Sequence, residues 1–186
     1  MRKRNQVLLA VVIAAMAVTA VSAQVNSPRV PDVPYVPTPP EVVEAMLKAA
    51  NVTKKDVVYD LGSGDGRIVI TAAKIYGTKG VGIDITPDLV GEARANARME
   101  GVADKVKFIE GDLFEQDLSE ATVITLYLLP DINMKLRPTI LKLKPGTRIV
   151  SHAFNMGEWK PEQTIDVNGK TVYFWRVPKP LDAKNE

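Results

Sequence analysis

The sequence predicts an α/β protein, a mostly parallel sheet that ends in an antiparallel hairpin. Three observations carry this. Val57, Val58 and Leu61 form a short apolar run, and Gly62, Gly64 and Gly66 follow it directly with a helical pattern behind them. Short apolar runs and helical patterns then alternate as far as residue 151, as in a sheet built of parallel strands with crossover helices. Finally, Asn168-Gly169 separates two alternating segments, a strong two-residue hairpin signal.

Ahead of the first strand, Thr38 and Glu41 have capping-box spacing, with Pro39 at the expected first helical position. Val42, Val43, Met46, Leu47 and Ala50 then give that helix one apolar face. Val81, Gly82 and Ile83 make a second strand ending in Asp84, and Thr86-Pro87 opens a helix that runs to Gly101. Val106, Phe108 and Ile109 form a third strand, ending in Gly111-Asp112. Ala121 to Tyr127 is a fourth, and Asp131 to Leu143 is helical with Pro138 expected to kink or split it. Arg148 to Ser151 is a fifth strand. Gln163 to Val167 and Lys170 to Arg176 flank the hairpin turn. The stretch from 152 to 162 is too short for a full crossover helix, which leaves the order of the last strands open.

Strand, glycine turn and helix build a nucleotide-type ligand site at the carboxyl end of a parallel sheet. The dinucleotide fingerprint G-x-G-x-x-G needs glycine at position 67, where Arg67 stands, so that pattern fails. What stands instead is D-x-G-x-G-x-G, with Asp60 two residues before Gly62. A carboxylate there repels a pyrophosphate and attracts an ammonium. Asp84 lies about twenty residues past the turn, where an acidic side chain accepts bonds from ribose hydroxyls. Arg67 is expected to anchor the helix start or to pair with Asp60 or Asp84.

The Asp60–Gly66 run resembles motif I of the class I S-adenosyl-L-methionine (SAM) methyltransferases. The resemblance implies their Rossmann-like fold and SAM as cofactor. It implies Asp60 near the methionine amino group and Asp112 on the adenine amino group, with Ile85 and Leu113 beside the two strand-end acids in the cofactor set. Residues 33–162 further resemble the protein-lysine methyltransferases that act on the ATP synthase c-subunit and the adenine nucleotide translocase. The marks are P-Y-V-P-T-P ahead of D-L-G-S-G-D-G-R, Gly111-Asp112-Leu113-Phe114, Asp117-Leu118-Ser119, Leu136 to Lys144 and the aromatic Trp159. On this reading Tyr35 and Thr38 close over the cofactor. Tyr127 shapes the methyl-transfer channel, and His152, the one histidine, takes up a proton. A protein lysine is the expected acceptor. A small or lipid-like acceptor at a membrane, or a SAM-binding module without turnover, are the alternatives.

Composition bounds the rest. Cysteine is absent, which removes disulfides, thiolate metal sites and a cysteine nucleophile, and no metal is expected. Formal charge is +2, and without Arg2, Lys3 and Arg4 there are 21 basic against 22 acidic residues, so nothing favours nucleic acid. Those three basic residues precede an apolar run from Val7 to about Ala23, with Val21-Ser22-Ala23 before Gln24. Residues 1–23 therefore fit a signal peptide or a membrane anchor, and either places the domain outside the cytoplasm. A mitochondrial presequence, or a cytoplasmic form started at Met16, are the other readings. SAM is made in the cytosol, so leader and cofactor pull in opposite directions. A proline-rich lead-in over 24–37, a methyltransferase domain over 38–178 and a tail over 179–186 complete the expected organisation.

Overall fold

The computed structural model describes residues 35–179, so the leader, most of the proline-rich lead-in and most of the tail lie outside the described residues. One seven-stranded sheet has the order β3-β2-β1-β4-β5-β7-β6. Its strands are β1 (Val57–Leu61), β2 (Lys79–Asp84), β3 (Val106–Glu110), β4 (Val123–Leu126), β5 (Arg148–His152), β6 (Gln163–Val167) and β7 (Lys170–Arg176). β1 to β5 pair in parallel, and β7 runs antiparallel to both β5 and β6. The fold is Rossmann-like. The strand order left open by the sequence is resolved by β7, which sits between β5 and β6, so the hairpin is the end of the sheet. Asn168 and Gly169 have φ of 53° and 80°, as a two-residue turn with both central residues left-handed requires.

Alternate residues of the central strands feed two cores. Val58, Val123, Val150, Val172 and Phe174 pack against α1 (Pro40–Ala49), α2 (Arg67–Tyr76) and α3 (Pro87–Met99). Tyr59, Leu61, Ile124, Leu126, Ile149 and Trp175 pack against α4 (Pro130–Ile140) and the loop that follows β5. The chain between β5 and β6 forms no helix, and Met156 and Trp159 from that loop fill the space beside α4.

Three local expectations need correction, two of them in one alternative only. Thr38 does not cap α1: Pro39 is the N-cap residue, with ψ of 148°, and no side chain caps the helix. The residue before a proline is held extended, and Pro39 itself precedes Pro40, so the helix starts one residue later than expected. Pro138 does not split α4, which ends two residues beyond it at Ile140. With only two helical residues beyond it, little of α4 depends on the turn where the Pro138 N–H is missing. Of the two roles expected of Arg67 it takes the first, anchoring the start of α2, and it pairs with neither Asp60 nor Asp84. Its guanidinium binds Asp65, with Nη2 2.6 Å from Oδ2, and donates from Nη1 to the Thr38 carbonyl at 3.0 Å. The α3 C-terminus follows the sequence: Gly101 has φ of 68°, and its N–H and that of Val102 donate to Arg98 and Ala97, a Schellman closure.

Candidate functional site

A cavity of about 790 Å³ opens at the carboxyl ends of β1, β2, β3 and β4, within the size range of small-molecule sites. Its position follows from the parallel sheet. Each strand ends at the same edge, and the loops leaving β1 and β4 diverge to opposite faces. Of the residues expected to form the site, Tyr35, Thr38, Asp60, Gly62, Asp84, Ile85, Asp112, Leu113 and Tyr127 line this cavity. Gly64, Gly66 and His152 do not.

The glycine turn is fixed by backbone geometry. Gly62, Gly64 and Gly66 have φ of 78°, 52° and 80°. The N–H groups of Gly62 and Ser63 both donate to the Ile83 carbonyl, at 2.8 and 2.9 Å, which ties the turn to β2. A Cβ on Gly64 would lie 2.3 Å from the Tyr35 ring, and one on Gly66 2.5 Å from the Phe108 ring. Gly64 therefore lets the lead-in strap lie on the turn, and Gly66 lets α2 start against β3.

The acids differ in state. Asp60 is 2 % exposed and accepts a 2.6 Å bond from the Thr125 hydroxyl. Burial pushes its carboxyl up to about 7. Thr125 opposes the rise, and the negative charges of Asp84 and Asp65 add to it. Asp84 Oδ2 accepts the Gly64 N–H at 2.8 Å, and Oδ1 accepts the Thr86 N–H at 2.9 Å. A carboxylate has about four lone-pair sites, so two remain for ligand hydroxyls. Asp112 Oδ1 accepts the Phe114 N–H at 2.9 Å. Burial acts to raise Asp65, but the hydrogen bonds and charge of Arg67 outweigh it and hold that carboxyl below the usual range. Burial, followed by the charge of Asp65, raises the Tyr35 phenol.

His152 is 3 % exposed and lies behind Tyr127, with ring centroids 3.9 Å apart. Burial and then the charge of Lys170 lower its pKa, which keeps the ring neutral at pH 7. Its Nδ1 has no hydrogen-bond partner among the described residues. Sequence reasoning missed several lining residues, among them Leu89, Phe114, Leu128, Ile132 and Lys135. Lys135 Nζ stands 4.0 Å from the centroid of the Phe114 ring. An apolar residue just past a strand end carries no spacing signal, so only neighbourhood to Asp112 and Tyr127 marks Phe114 and Leu128.

These features fit SAM. The buried Asp60 carboxyl, whose ionisation burial opposes, suits an ammonium as counter-charge, the strand-end acids suit hydroxyl and amino donors, and Gly62 brings bare backbone to the cavity wall. Sheet order, glycine turn and acid placement together define a class I SAM-dependent methyltransferase. The model of the ANTKMT methyltransferase domain matches residues 60–163, and the chain belongs to that family. It is 49 % identical over 146 residues to a protein-lysine N-methyltransferase of Saccharolobus islandicus (strain REY15A), covering 75 % of this chain and 91 % of that protein. It is 32 % identical over 121 residues to the ATP synthase c-subunit lysine N-methyltransferase of Rattus norvegicus, covering 64 % of this chain and 56 % of that protein, so it spans about half the rat enzyme. A crystal structure described as an RNA methyltransferase from Salinibacter ruber, in complex with S-adenosyl-L-homocysteine, has a TM-score of 0.77 and 59 % identity, covering 80 % of this chain and 98 % of that one. SAM is the cofactor.

Asp84→Ala tests the turn and the cofactor together. The variant is expected to fold and to bind SAM more weakly by about 1–3 kcal/mol, the scale of a lost charge-assisted bond. Calorimetry checks this, and an unchanged affinity would confine Asp84 to holding the Gly64 and Thr86 amides.

Proposed function

We propose that this protein transfers a methyl group from SAM to the side-chain amine of a protein lysine. The observation that carries the reading is the 49 % identity to a protein-lysine N-methyltransferase across 91 % of that enzyme. Bound in the cavity, SAM supplies an electrophilic methyl on a sulfonium. Asp60 would hold the methionine ammonium, Asp84 the ribose and Asp112 the adenine amino group. Ile85 and Leu113 would flank the cofactor, while Tyr35 and Thr38 would close the strap over it. Tyr127 is the acceptor-side wall. A lysine nitrogen must lose its proton before it can attack, and desolvation against an aromatic, uncharged wall lowers its pKa. His152, buried and neutral, serves as a positioning residue behind Tyr127, and its neutrality avoids repelling two cations. The enzyme's contribution is chiefly alignment of nucleophile and methyl.

An RNA acceptor is the second reading, favoured by the description of the Salinibacter ruber structure. The near balance of 21 basic and 22 acidic residues after Arg4 weighs against it. Incubating the protein with methyl-labelled SAM and cell extract separates the two. Label is expected in protease-sensitive, nuclease-resistant material that yields methyllysine on hydrolysis. Label released by ribonuclease, or extracted with lipid, would replace the lysine reading.

The leader supports a place at or beyond a membrane, through Arg2 to Arg4 ahead of the apolar run. Among the described residues no helix is long and apolar enough to cross a membrane. A C-terminal reporter active only in the cytoplasm is expected to stay dark. A bright reporter on a chain beginning at Met16 would return the domain to the compartment where SAM is made.

A further inference from the structure

Strand β5 leaves the sheet through a strained turn. Ala153 has φ of 64°, and the Phe154 N–H donates to the His152 carbonyl at 2.8 Å. A three-residue turn with a positive central φ is rare, and glycine would adopt it more easily than alanine. Strain of this kind persists only where the surroundings over-determine it, and it gathers at ligand-binding and active sites.

The surroundings here do so. The Ala153 N–H donates to the Thr171 carbonyl at 2.8 Å. Asn133 Nδ2 reaches the carbonyls of Phe154 and Asn155, at 3.3 and 3.4 Å, and Arg137 Nη1 reaches that of Met156 at 2.9 Å. Asn133 and Arg137 are four residues apart on α4 and so share one face. One helix thus grips three successive carbonyls of the loop. None of these bonds involves the Phe154 ring. That ring is half-buried, and it stands 6.3 Å from the Tyr127 ring with planes 20° apart. Tyr127 in turn lines the cavity. The turn and the clasp therefore present one aromatic ring beside the acceptor-side wall.

We propose that Phe154 is a specificity-determining residue for the methyl acceptor. Tyr127 and Phe154 form a two-ring rim at the ends of β4 and β5 that grips the apolar stem of the acceptor side chain as its amine enters the cavity. The identity of the stem as lysine rests on the function proposed above; the existence of the rim does not. Four methylenes lie flat on aromatic rings, and an ammonium at their end is attracted to a ring face until it loses its proton.

Steady-state kinetics of the full chain test this, with acceptor KM, kcat and SAM affinity measured separately. Phe154→Ala is expected to raise acceptor KM about tenfold with SAM affinity unchanged, the signature of lost acceptor binding. Phe154→Tyr is expected to restore it. Ala153→Gly relieves the turn, so it is expected to melt no lower than the wild type yet raise acceptor KM about threefold, because the ring is held less firmly. A merely structural turn would leave KM alone in that variant. Unchanged acceptor KM in both Phe154→Ala and Ala153→Gly overturns the proposal. So does a parallel loss of SAM affinity, which would assign Phe154 to the cofactor wall. If the wild type methylates RNA instead of protein, the lysine reading falls, and the same variants measured on RNA still decide whether the rim grips the acceptor.

Discussion

Gly64→Val is expected to abolish SAM binding while leaving most of the fold in place. Gly64 has φ of 52°, a region where a β-branched residue is a genuine outlier. Its Cβ would lie 2.3 and 2.8 Å from the Cε2 and Cδ2 atoms of Tyr35, so the strap must lift or the turn must shift. Lifting the strap removes Tyr35 from the cavity wall, and shifting the turn pulls the Gly64 amide from Asp84 Oδ2. One substitution therefore disturbs a wall of the cavity whichever side gives way. Strain is separable from site damage. Gly101 has φ of 68°, and a Cβ there meets nothing within 4 Å. Gly101→Ala should lower the melting temperature yet bind SAM as the wild type does. Calorimetry on both variants, with circular dichroism to follow folding, checks this. Normal SAM affinity in folded Gly64→Val would show that neither the seating of Tyr35 on the turn nor the Gly64–Asp84 bond bears on the ligand.

Asp60→Asn is expected to trade function for stability. The folded Asp60 carboxyl keeps its proton up to about pH 7, against an ordinary value of 3.8. Between those values the folded state binds more proton than the unfolded state, so this residue's effect is to lower stability as pH rises. The penalty is absent below pH 4, grows through the window and is complete above pH 7. The amide carries no such penalty and can still accept the Thr125 hydroxyl. Ligand-free Asp60→Asn should therefore match the wild type near pH 4 and exceed it by about 2–4 kcal/mol at pH 8. Its affinity for SAM should fall by about 3 kcal/mol, roughly a hundredfold, because the ammonium loses its counter-charge. In the wild type, binding should release a proton from Asp60 and weaken about tenfold per pH unit below 7. Denaturant titrations at both pH values, with SAM calorimetry in buffers of different ionisation enthalpy, measure all three. Equal stability at pH 8 would mean that the folded Asp60 carboxyl ionises at no cost, so that burial does not raise its pKa.

The parts of the fold legible in the sequence are those set by neighbours in the chain. Val57 to Leu61, the three glycines and Asn168-Gly169 announce themselves by apolar pattern and by the need for positive φ. Asp84 and Asp112 can be placed because a strand end fixes where the next residue points. What cannot be read depends on contacts between distant segments. The insertion of β7 between β5 and β6 is a choice between sheet edges that no local pattern encodes. Charge alone sends Arg67 to the ligand acids, but Asp65 is two residues away and its turn geometry wins. Spacing alone makes Thr38 a cap, and two successive prolines decide otherwise. A strand-end position aims His152 at the reactants, yet β5 buries it behind Tyr127. The positive φ of Ala153 leaves no trace at all, since alanine advertises no such turn.

The late position of β7 in the chain has a consequence for biosynthesis. Every residue that lines the cavity, from Tyr35 to Lys135, leaves the ribosome before Gln163, the first residue of the hairpin. Until the hairpin follows, β5 is a bare edge carrying Ile149 and Val150, a template for pairing with other chains. Both cores are also incomplete: Val172 and Phe174 are missing from one side of the sheet and Trp175 from the other. A nascent or prematurely stopped chain thus holds all of its chemistry and little of its solubility. For this protein, translation stalling and C-terminal clipping upstream of Arg176 become matters of chaperone load and proteolysis before they become matters of catalysis.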